Sequence, residues 1–228
     1  MANGKKYNDA AKTFDREAIH DVAAAVALVT AMPKRKFDES VDLVVRLGVD
    51  PRKADEMIRG TVALPSGTGK AVRVAVFAQG DQAQAARDAG AEFVGADDLA
   101  EQVEGGMLDF DVTIAAPDMM PLVGKLGRVL GPRSLMPNPK TGTVTPDVAK
   151  AVEDFKGGKV EFRTDKFANV HVPVGKVGFS EGDLAQNIVA VMDELIRLKP
   201  AGAKGQYIKK ASISSTMGPS IKLDPGKV

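Results

Sequence analysis

Four short clusters of residues carry the side chains that polyanion binding requires. Positive charges neutralise phosphate, an aromatic ring packs on a sugar or base, and hydroxyls beside a glycine backbone approach ribose 2'-hydroxyls closely. The clusters are Lys34-Arg35-Lys36-Phe37, Arg52-Lys53 with Arg59, Glu161-Phe162-Arg163-Thr164-Asp165-Lys166 with His171, and Ser214-Ser215-Thr216-Met217-Gly218-Pro219. Each cluster taken singly is also typical of a solvated helix end, a core residue or a simple turn.

The charges are segregated along the chain, and this gives the four clusters more weight together. The formal net charge is +1 overall, divided into +1 over 1–67, −3 over 68–159 and +3 over 160–228. The stretch 81–118 holds one basic residue, Arg87, against ten acidic residues, and such a surface repels a polyanion. All four clusters lie in the basic flanks, so both flanks are predicted to build one polyanion-binding surface.

Several catalytic and metal chemistries are excluded by composition. The chain has no cysteine and only two histidines, which rules out a disulfide framework, a thiol nucleophile, Cys-ligated zinc and a multi-histidine metal site. Paired carboxylates such as Asp109 and Asp111 have no positioned base or ligand partner. We therefore expect no catalytic residue, no metal and no cofactor.

One glycine-rich segment superficially resembles a nucleotide-binding loop. In Gly67-Thr68-Gly69-Lys70 the lysine is followed by Ala71, whereas a phosphate-binding loop has serine or threonine there and then opens a helix. A strand is predicted next instead. The segment is therefore interpreted as a link between two parts of the chain.

The opening twelve residues are basic and polar, without the apolar core of a secretory signal. The longest early uncharged stretch, 22–33, is far too short to span a membrane. A cytoplasmic protein without a membrane partner is expected.

Both flanks are predicted to contain strands and helices in mixed order. A helix capped by Asp15 carries its apolar residues at the 3.6-residue period and ends at Pro33. The other elements are strands at 41–47, 61–64, 159–164, 170–174 and 207–214, a short helix starting at Asp50-Pro51, and a long helix over about 181–198. On a hairpin formed by 159–164 and 170–174, Arg163 and Asp165 would share one face.

The middle of the chain alternates strand and helix, which is typical of a parallel sheet with helical crossovers. Strands are predicted at 72–78, 93–94 and 112–115, with helices near 82–89, 99–104 and 119–130, and a further helix capped by Thr145 with Pro146 as its first residue. The loop 130–140 between the last two helices is denser in proline and glycine than a linker needs, so it is a candidate contact loop.

The economical topology joins the two flanks into one domain. We predict a discontinuous two-domain protein of mixed α/β and α+β class. An α+β domain is built from 1–67 and 160–228, and a Rossmann-like α/β domain, 68–159, is inserted through two glycine-rich links.

The motifs resemble those of the bacterial large-subunit ribosomal protein L-one family, a universal family of ribosomal stalk proteins. The segments that carry the resemblance are Lys36-Phe37-Asp38-Glu39-Ser40, Leu47-Gly48-Val49-Asp50-Pro51-Arg52-Lys53, Arg59-Gly60-Thr61-Val62, Leu130-Gly131-Pro132-Arg133, Met136-Pro137-Asn138-Pro139-Lys140, Glu161-Phe162-Arg163 and Thr216-Met217-Gly218-Pro219. They follow the family's order nearly end to end. The chain has Ser134 where glycine is common, and Ser214-Ser215 where threonines are common.

The resemblance implies a non-enzymatic constituent of the large ribosomal subunit. Its expected partners are stalk ribosomal RNA, the exit-site tRNA whose release it assists, and a leader in its own messenger RNA through which it represses its own operon. It is expected to be a monomer outside the ribosome. The implied RNA contacts are Lys36, Phe37, Glu39, Ser40, Arg52, Lys53, Glu161, Arg163, Asp165, Lys166, His171, Thr216, Met217 and Gly218. Lys34 is added on charge grounds, and Arg59 and Ser214 belong to the same clusters.

Two other functions compete with RNA binding. A nucleotide-dependent enzyme would need a phosphate cradle at the first strand-to-helix turn of the middle domain, where Gln79-Gly80-Asp81 offers one glycine beside an acid. A protein-interaction adaptor would expose Met119, Met120 and Leu122, but their helical spacing favours the core.

Overall fold

The computed structural model describes residues 4–33 and 35–226, so the predicted site residue Lys34 lies outside the described part of the chain. Its contacts divide the chain into two compact units. The first unit combines the chain up to Gly69 with the chain from Val160 onward, and the second unit is Lys70–Lys159.

Eight α-helices and ten strands are found among the described residues. In chain order they are α1 (Lys5–Ala11), β1 (Ile19–His20), α2 (Val22–Thr30), β2 (Ser40–Leu47), β3 (Arg59–Ala63), β4 (Val74–Phe77), α3 (Gly80–Asp88), β5 (Phe93–Gly95), α4 (Asp97–Glu104), β6 (Val112–Ala115), α5 (Met120–Lys125), α6 (Gly127–Leu130), α7 (Val148–Lys156), β7 (Lys159–Arg163), β8 (Asn169–Lys176), α8 (Glu181–Arg197), β9 (Ile208–Ser215) and β10 (Ile221–Leu223). Single 3₁₀ turns occur at Ala54–Glu56, Pro117–Met119 and Pro139–Thr141.

The first unit is built on a five-stranded sheet in the order β1-β10-β9-β2-β8. The pairing is antiparallel except between β1 and β10. Side chains alternate along β2, and Val41, Leu43 and Val45 are buried in one core with residues of α2 and α8. These helices therefore cover one face of the sheet. The opposite face, which we call the open face, carries the intervening residues of β2, β8 and β9.

The second unit contains a three-stranded parallel sheet in the order β5-β4-β6. All four residues of β4 are buried, which is typical of a parallel strand with helices on both faces. The parallel pairing confirms the strand–helix alternation predicted from the sequence. Met119 is buried in this core and Met120 and Leu122 pack against it, so the segment considered for an adaptor surface belongs to the core.

The first long helix begins later than predicted. Asp15 accepts a hydrogen bond from the amide of Glu17 in a turn, and Asp21 is the residue whose carboxylate caps α2, through the amide of Ala24. Ile19 is part of β1, and its backbone pairs with β10 at the edge of the sheet. The apolar spacing that predicted one helix therefore runs across a strand and a helix.

Two elements of the second unit also differ from the prediction. The segment 119–130 is interrupted at Leu126, whose backbone turns out of regular helix, so it forms α5 and α6. Asp147, rather than Thr145, caps α7 by accepting from the amide of Lys150. The hydroxyl of Thr145 accepts from the amide of Asp147 and holds the turn before the helix.

Further differences lie in the first unit, where α1, β1 and β10 were not predicted. β7 pairs with β3, and the predicted hairpin with β8 is reduced to a single bridge between Thr164 and Val170. The predicted helix at Asp50 is a turn, because the Asp50 carboxylate accepts from the amide of Arg52, and only a 3₁₀ turn follows.

The link leaving the first unit is held firmly by α8. Asn187 is fully buried; its side-chain oxygen accepts from the amide of Ser66, and its nitrogen donates to the carbonyls of Gly67 and Val174 at 3.0 and 2.8 Å. Gly69 has φ +68°, and a Cβ there would lie 2.8 Å from the ring of Phe179. These glycines serve the path of the chain and the close packing of the link.

Candidate RNA interface

The clearest candidate site is the Thr216 turn, residues 215–218, which lies against the start of β2. The pairing of Val41 with Ser215 brings the two segments together. The amide of Thr216 donates to the carbonyl of Ser40 at 3.0 Å, and the amide of Ser40 donates to the Thr216 hydroxyl at 3.1 Å. Two clusters that are 176 residues apart in the sequence therefore form one surface.

A buried carboxylate holds this turn from within. Glu39 is 6 % exposed, and its Oε2 accepts from the Ser215 hydroxyl and from the amide of Met217, both at 2.9 Å. Arg35 lies 3.7 Å from the other carboxylate oxygen and donates to the Met217 carbonyl at 3.2 Å. Glu39 was predicted as a direct contact, but its burial and its partners make it the residue that shapes the turn. Arg35, which was absent from the predicted contacts, assists it.

Gly218 is required by close packing. A Cβ at this position would lie 2.5 Å from the Ser215 hydroxyl and 2.9 Å from the sulfur of Met32, both closer than real Cβ contacts. The Ser215 hydroxyl already donates to Glu39. Any larger residue at position 218 must therefore displace the hydrogen bonds that define the turn.

Around this rigid turn the structure leaves apolar, basic and hydroxyl groups exposed. Phe37 and Met217 are 54 % and 53 % exposed, and Lys36 and Thr216 are exposed beside them in the sequence. Large apolar side chains at the surface of a folded unit mark candidate contact sites. Lys176, not predicted as a site residue, adds a positive charge here by donating to the Ser40 hydroxyl at 2.9 Å.

The open face connects the Thr216 turn to the opposite end of the same strands. Ser214 pairs with Asp42, and His171 pairs with Val44; both lie between buried neighbours, which places them on this face. From Ser40 to Arg46 the strand covers about 20 Å at roughly 3.3 Å per residue. Strand alternation also places Arg46 and Lys210 here, opposite each other, which the sequence reasoning missed.

Asp42 is the acidic group in the middle of the open face. Its burial raises the pKa of this carboxyl above its ordinary value, although the charges of His171 and Lys176 oppose the change. A carboxyl that holds its proton more tightly repels phosphate less at mildly acidic pH.

At the far end of the open face is the Phe167 turn, residues 165–168, between β7 and β8. Asp165 accepts from the amides of Phe167 and Asn169, both at 2.8 Å, and its carboxylate lies 3.6 Å from His171. Burial raises the pKa of Asp165, but hydrogen bonds from Asn169, Phe167 and His171 outweigh it and hold the pKa below its ordinary value. Asp165 is thus an ionised residue that organises the turn.

The remaining predicted contacts include pairs that neutralise each other. Arg59 binds Glu161 through Nε and Nη2, at 2.7 and 2.6 Å, and the two side chains are partly exposed. Lys53 pairs with Glu56 at 2.9 Å. Arg52, Arg163 and Lys166 are exposed, and among the described residues none of the three is within ion-pair distance of an acid.

Other kinds of site find little support in the described part of the chain. Among residues 4–33 and 35–226, no three histidine or acidic side chains are placed to hold a metal ion. None of the described helices combines the length and the apolar character needed to cross a membrane. The first strand-to-helix turn of the second unit has one glycine at positive φ, Gly80, followed by Asp81, and α3 has no side-chain cap. That turn is a poor anion site.

The first unit is rich in strands and presents a preorganised surface with basic and hydroxyl-bearing side chains. It is interrupted in sequence by a parallel α/β unit. Comparison with known proteins identifies the family. The chain belongs to the ribosomal protein L1p/L10e family, whose model matches residues 28–219.

Relatives of high similarity include "Large ribosomal subunit protein uL1" from a Nocardioides species, 60% identical over 227 residues that cover 100% of this chain and 95% of the relative. The protein of the same name from Cutibacterium acnes is 59% identical over 225 residues, covering 99% and 97%. The family resemblance inferred from the motifs is confirmed. The prediction that the chain is not an enzyme is confirmed by membership of this family of ribosomal proteins.

Proposed function

We propose that the chain is a structural constituent of the large ribosomal subunit that binds a folded segment of large-subunit ribosomal RNA. Its full-length similarity to proteins named for that subunit supports this role. Its expected place is the cytoplasm, within the large subunit. The RNA contacts are the Thr216 turn, the open face and the exposed basic residues at its ends.

The observation that carries the proposal is the construction of the Thr216 turn. Glu39 and Ser40 hold it with five hydrogen bonds, so its backbone is in place before any ligand arrives. Single-stranded and junction RNA is recognised by shape, stacking and 2'-hydroxyl contacts. A rigid turn with an exposed threonine, a glycine and a flanking thioether and ring suits that recognition.

Basic residues supply the second part of binding. Lys36, Arg52, Arg163 and Lys166 are exposed and available to phosphates, which fix the register of the RNA without reading its sequence. Paired residues such as Arg59 contribute less, because Glu161 must be displaced or accommodated. The affinity is therefore expected to fall with salt, while specificity depends on the turn.

The deciding experiment compares a stalk fragment of the ribosomal RNA with a scrambled RNA of equal length. Each RNA is titrated with the full chain over a range of salt concentrations. Tight binding confined to the stalk fragment, with a finite salt slope, supports the proposal. Weak and equal binding of both RNAs would overturn it.

A pair of variants separates shape recognition from charge. Thr216→Leu removes the hydroxyl and adds bulk at the turn, so it should weaken stalk binding strongly at every salt concentration. Lys36→Ala should weaken binding modestly and reduce the salt slope by about one. Equal effects on affinity and slope would contradict recognition by the turn.

We further propose two other RNA partners: the exit-site tRNA, and a leader in the chain's own messenger RNA whose binding represses its operon. Both proposals follow from the family resemblance, and both use the basic surface described above. If the leader occupies the Thr216 turn, it will compete with the stalk fragment, and Thr216→Leu will weaken both to the same degree. Binding of leader and stalk together would refute a shared site.

The free protein is proposed to be a monomer, which sedimentation equilibrium over a range of protein concentrations tests directly. The competing function considered from the sequence, a nucleotide-dependent enzyme, disagrees with membership of the ribosomal protein L1p/L10e family. The turn at Gly80 argues against it, and calorimetric titration with ATP and with a dinucleotide is expected to show no binding heat.

A further inference from the structure

The ring of Phe167 is 65 % exposed at the tip of the Phe167 turn. Phe162 and Val170, which lie on either side of it in the sequence, are both buried in the core of the first unit. A phenylalanine that is left in water forgoes the free energy that burial would contribute. Sequence reasoning selected its neighbours Asp165 and Lys166 and omitted the ring itself.

The turn presents the ring in a fixed place. The Asp165 carboxylate accepts from the amides of Phe167 and Asn169 and from the Asn169 side chain at 3.0 Å, and the Asp165 amide donates to the Asn169 carbonyl. Ala168 has φ +63°, a left-handed conformation that is unfavourable for a residue with a Cβ. A strained backbone conformation of this kind persists only where the surrounding structure, here the hydrogen bonds of Asp165, imposes it. The ring is therefore displayed by a preorganised backbone.

The surroundings of the ring are cationic. The ammonium of Lys166 lies 5.2 Å from the ring centroid, and Arg163 is exposed on β7. The carboxylate of the neighbouring Asp165 accepts three hydrogen bonds within the turn. An exposed aromatic ring flanked by cations that neutralise phosphate is the combination on which unpaired bases stack.

We infer that Phe167 is a stacking platform for an unpaired base of the bound RNA, at the end of the open face opposite the Thr216 turn. This inference rests on the proposed RNA-binding function and adds a contact of a different kind to it. Stacking tolerates any base, so Phe167 would raise affinity with little effect on sequence preference.

Affinity for the stalk RNA fragment is the first test, made with Phe167→Ala, Phe167→Tyr and Lys166→Ala in the full chain. Loss of one stacked base corresponds to roughly a tenfold or greater weakening. Phe167→Ala should show that loss without a change in salt slope, Phe167→Tyr should retain affinity, and Lys166→Ala should reduce the slope. Ile196→Ala is the matched control, because Ile196 is also exposed, at 50 %, but lies on α8.

Fluorescence gives a second, independent readout, because the chain contains no tryptophan. Phe167→Trp places a single indole on the platform, and stacking of a base on it should quench its emission as RNA is added. Ile196→Trp is the control, and its emission should change little. Thermal unfolding checks that all variants remain folded.

The outcomes distinguish the inference from the proposed function. If the unmodified chain does not bind the stalk RNA specifically, the proposed function fails. If it binds, but Phe167→Ala binds equally well and the emission of the Phe167→Trp variant is not quenched, only the platform is refuted. Quenching with weakened binding of Phe167→Ala establishes the platform.

Discussion

At the scale of single residues, the candidate interface depends on a division between groups that hold the surface and groups that face outward. Glu39 and Gly218 hold the Thr216 turn in place. The carboxylate of Glu39 is buried and hydrogen-bonded, and Gly218 has no space for a side chain. Met217 and Phe37 face outward, whereas Thr216 is exposed and also helps to hold the turn through its bonds to the Ser40 backbone. Substitution of a holding residue should therefore lower stability as well as RNA affinity. Substitution of an outward-facing residue should lower RNA affinity alone.

Gly218→Ala tests the holding residues. The added methyl must displace the Ser215 hydroxyl or the Met32 sulfur, so we expect stability to fall by about 1–3 kcal/mol, as for other overpacked sites. RNA affinity should fall with it. Denaturant unfolding and stalk-RNA titration measure the two effects. Gly124→Ala is the control, because a Cβ there meets nothing within 4 Å. Since Gly124 lies in α5, the change should keep or slightly raise stability and leave RNA affinity unchanged.

The pKa of Asp42 predicts a pH-dependent stability. Burial raises that pKa in the folded chain above the ordinary 3.8, so the folded state binds the proton more tightly than the unfolded state. The resulting stabilisation is present below pH 3.8 and is lost as the pH rises through the raised pKa. Asp42→Asn, which cannot ionise, should therefore raise the melting temperature at about pH 7 and have less effect near about pH 4.5. A variant less stable than the unmodified chain at neutral pH would contradict this interpretation of Asp42.

The residue types of the interface could be predicted from the sequence, but their roles could not. Clusters around Lys36, Arg163 and Thr216 stood out by composition. The burial of Glu39 and the pairing of Arg59 with Glu161 depend on contacts across 176 and 102 positions, and no local pattern reports such contacts. Phe167 was missed because an isolated phenylalanine is ordinarily a core residue.

At the scale of elements, predictability followed the strength of the local pattern. β2 and α8 were predicted nearly to the residue. β2 is a short run rich in valine and leucine, and α8 keeps one apolar face at the helical period. β1 and β10 were missed since two or three residues carry no period. The first helix was misplaced because both Asp15 and Asp21 have cap chemistry, and only tertiary pairing of Ile19 decides between them.

Asn187 on α8 provides a test of how one element anchors another. Its amide makes three hydrogen bonds in a fully buried position, to the link and to β8. Asn187→Ala would leave those partners unsatisfied, and we expect a loss of about 2–4 kcal/mol of stability.

The matched control for this loss is Gln186→Ala on the exposed side of the same helix, which should lie within about 0.5 kcal/mol of the unmodified chain. Amide hydrogen exchange at Ser66 and Gly67 should accelerate in Asn187→Ala. Unchanged exchange there would mean that the link is not held by this side chain.

At the scale of the whole molecule, each unit has its own core. Buried residues fall into two clusters, one containing Leu43 and Ile188, the other Val76 and Phe155. Removing 70–159 and joining the ends by a Gly/Ser linker of about eight residues, with a mean span of about 16 Å, should therefore leave a folded first unit that keeps the Thr216 turn.

Circular dichroism and stalk-RNA titration would check the shortened chain. A separate chain of residues 70–159 should fold and leave the RNA unbound. An excised first unit that aggregates, or that unfolds without cooperativity, would show that the inserted unit contributes to its stability.

The pairing of Ser40 with Thr216 also has a consequence for synthesis. Chains grow from the N-terminus, and units fold once all their strands have been made. The second unit is complete by residue 159, whereas β2 gains β9, one of its two neighbours in the sheet, only near the end of the chain. A chain released early therefore lacks the Thr216 turn altogether. If the Thr216 turn binds the ribosomal RNA as proposed, products that end before this turn do not compete with longer chains for the RNA.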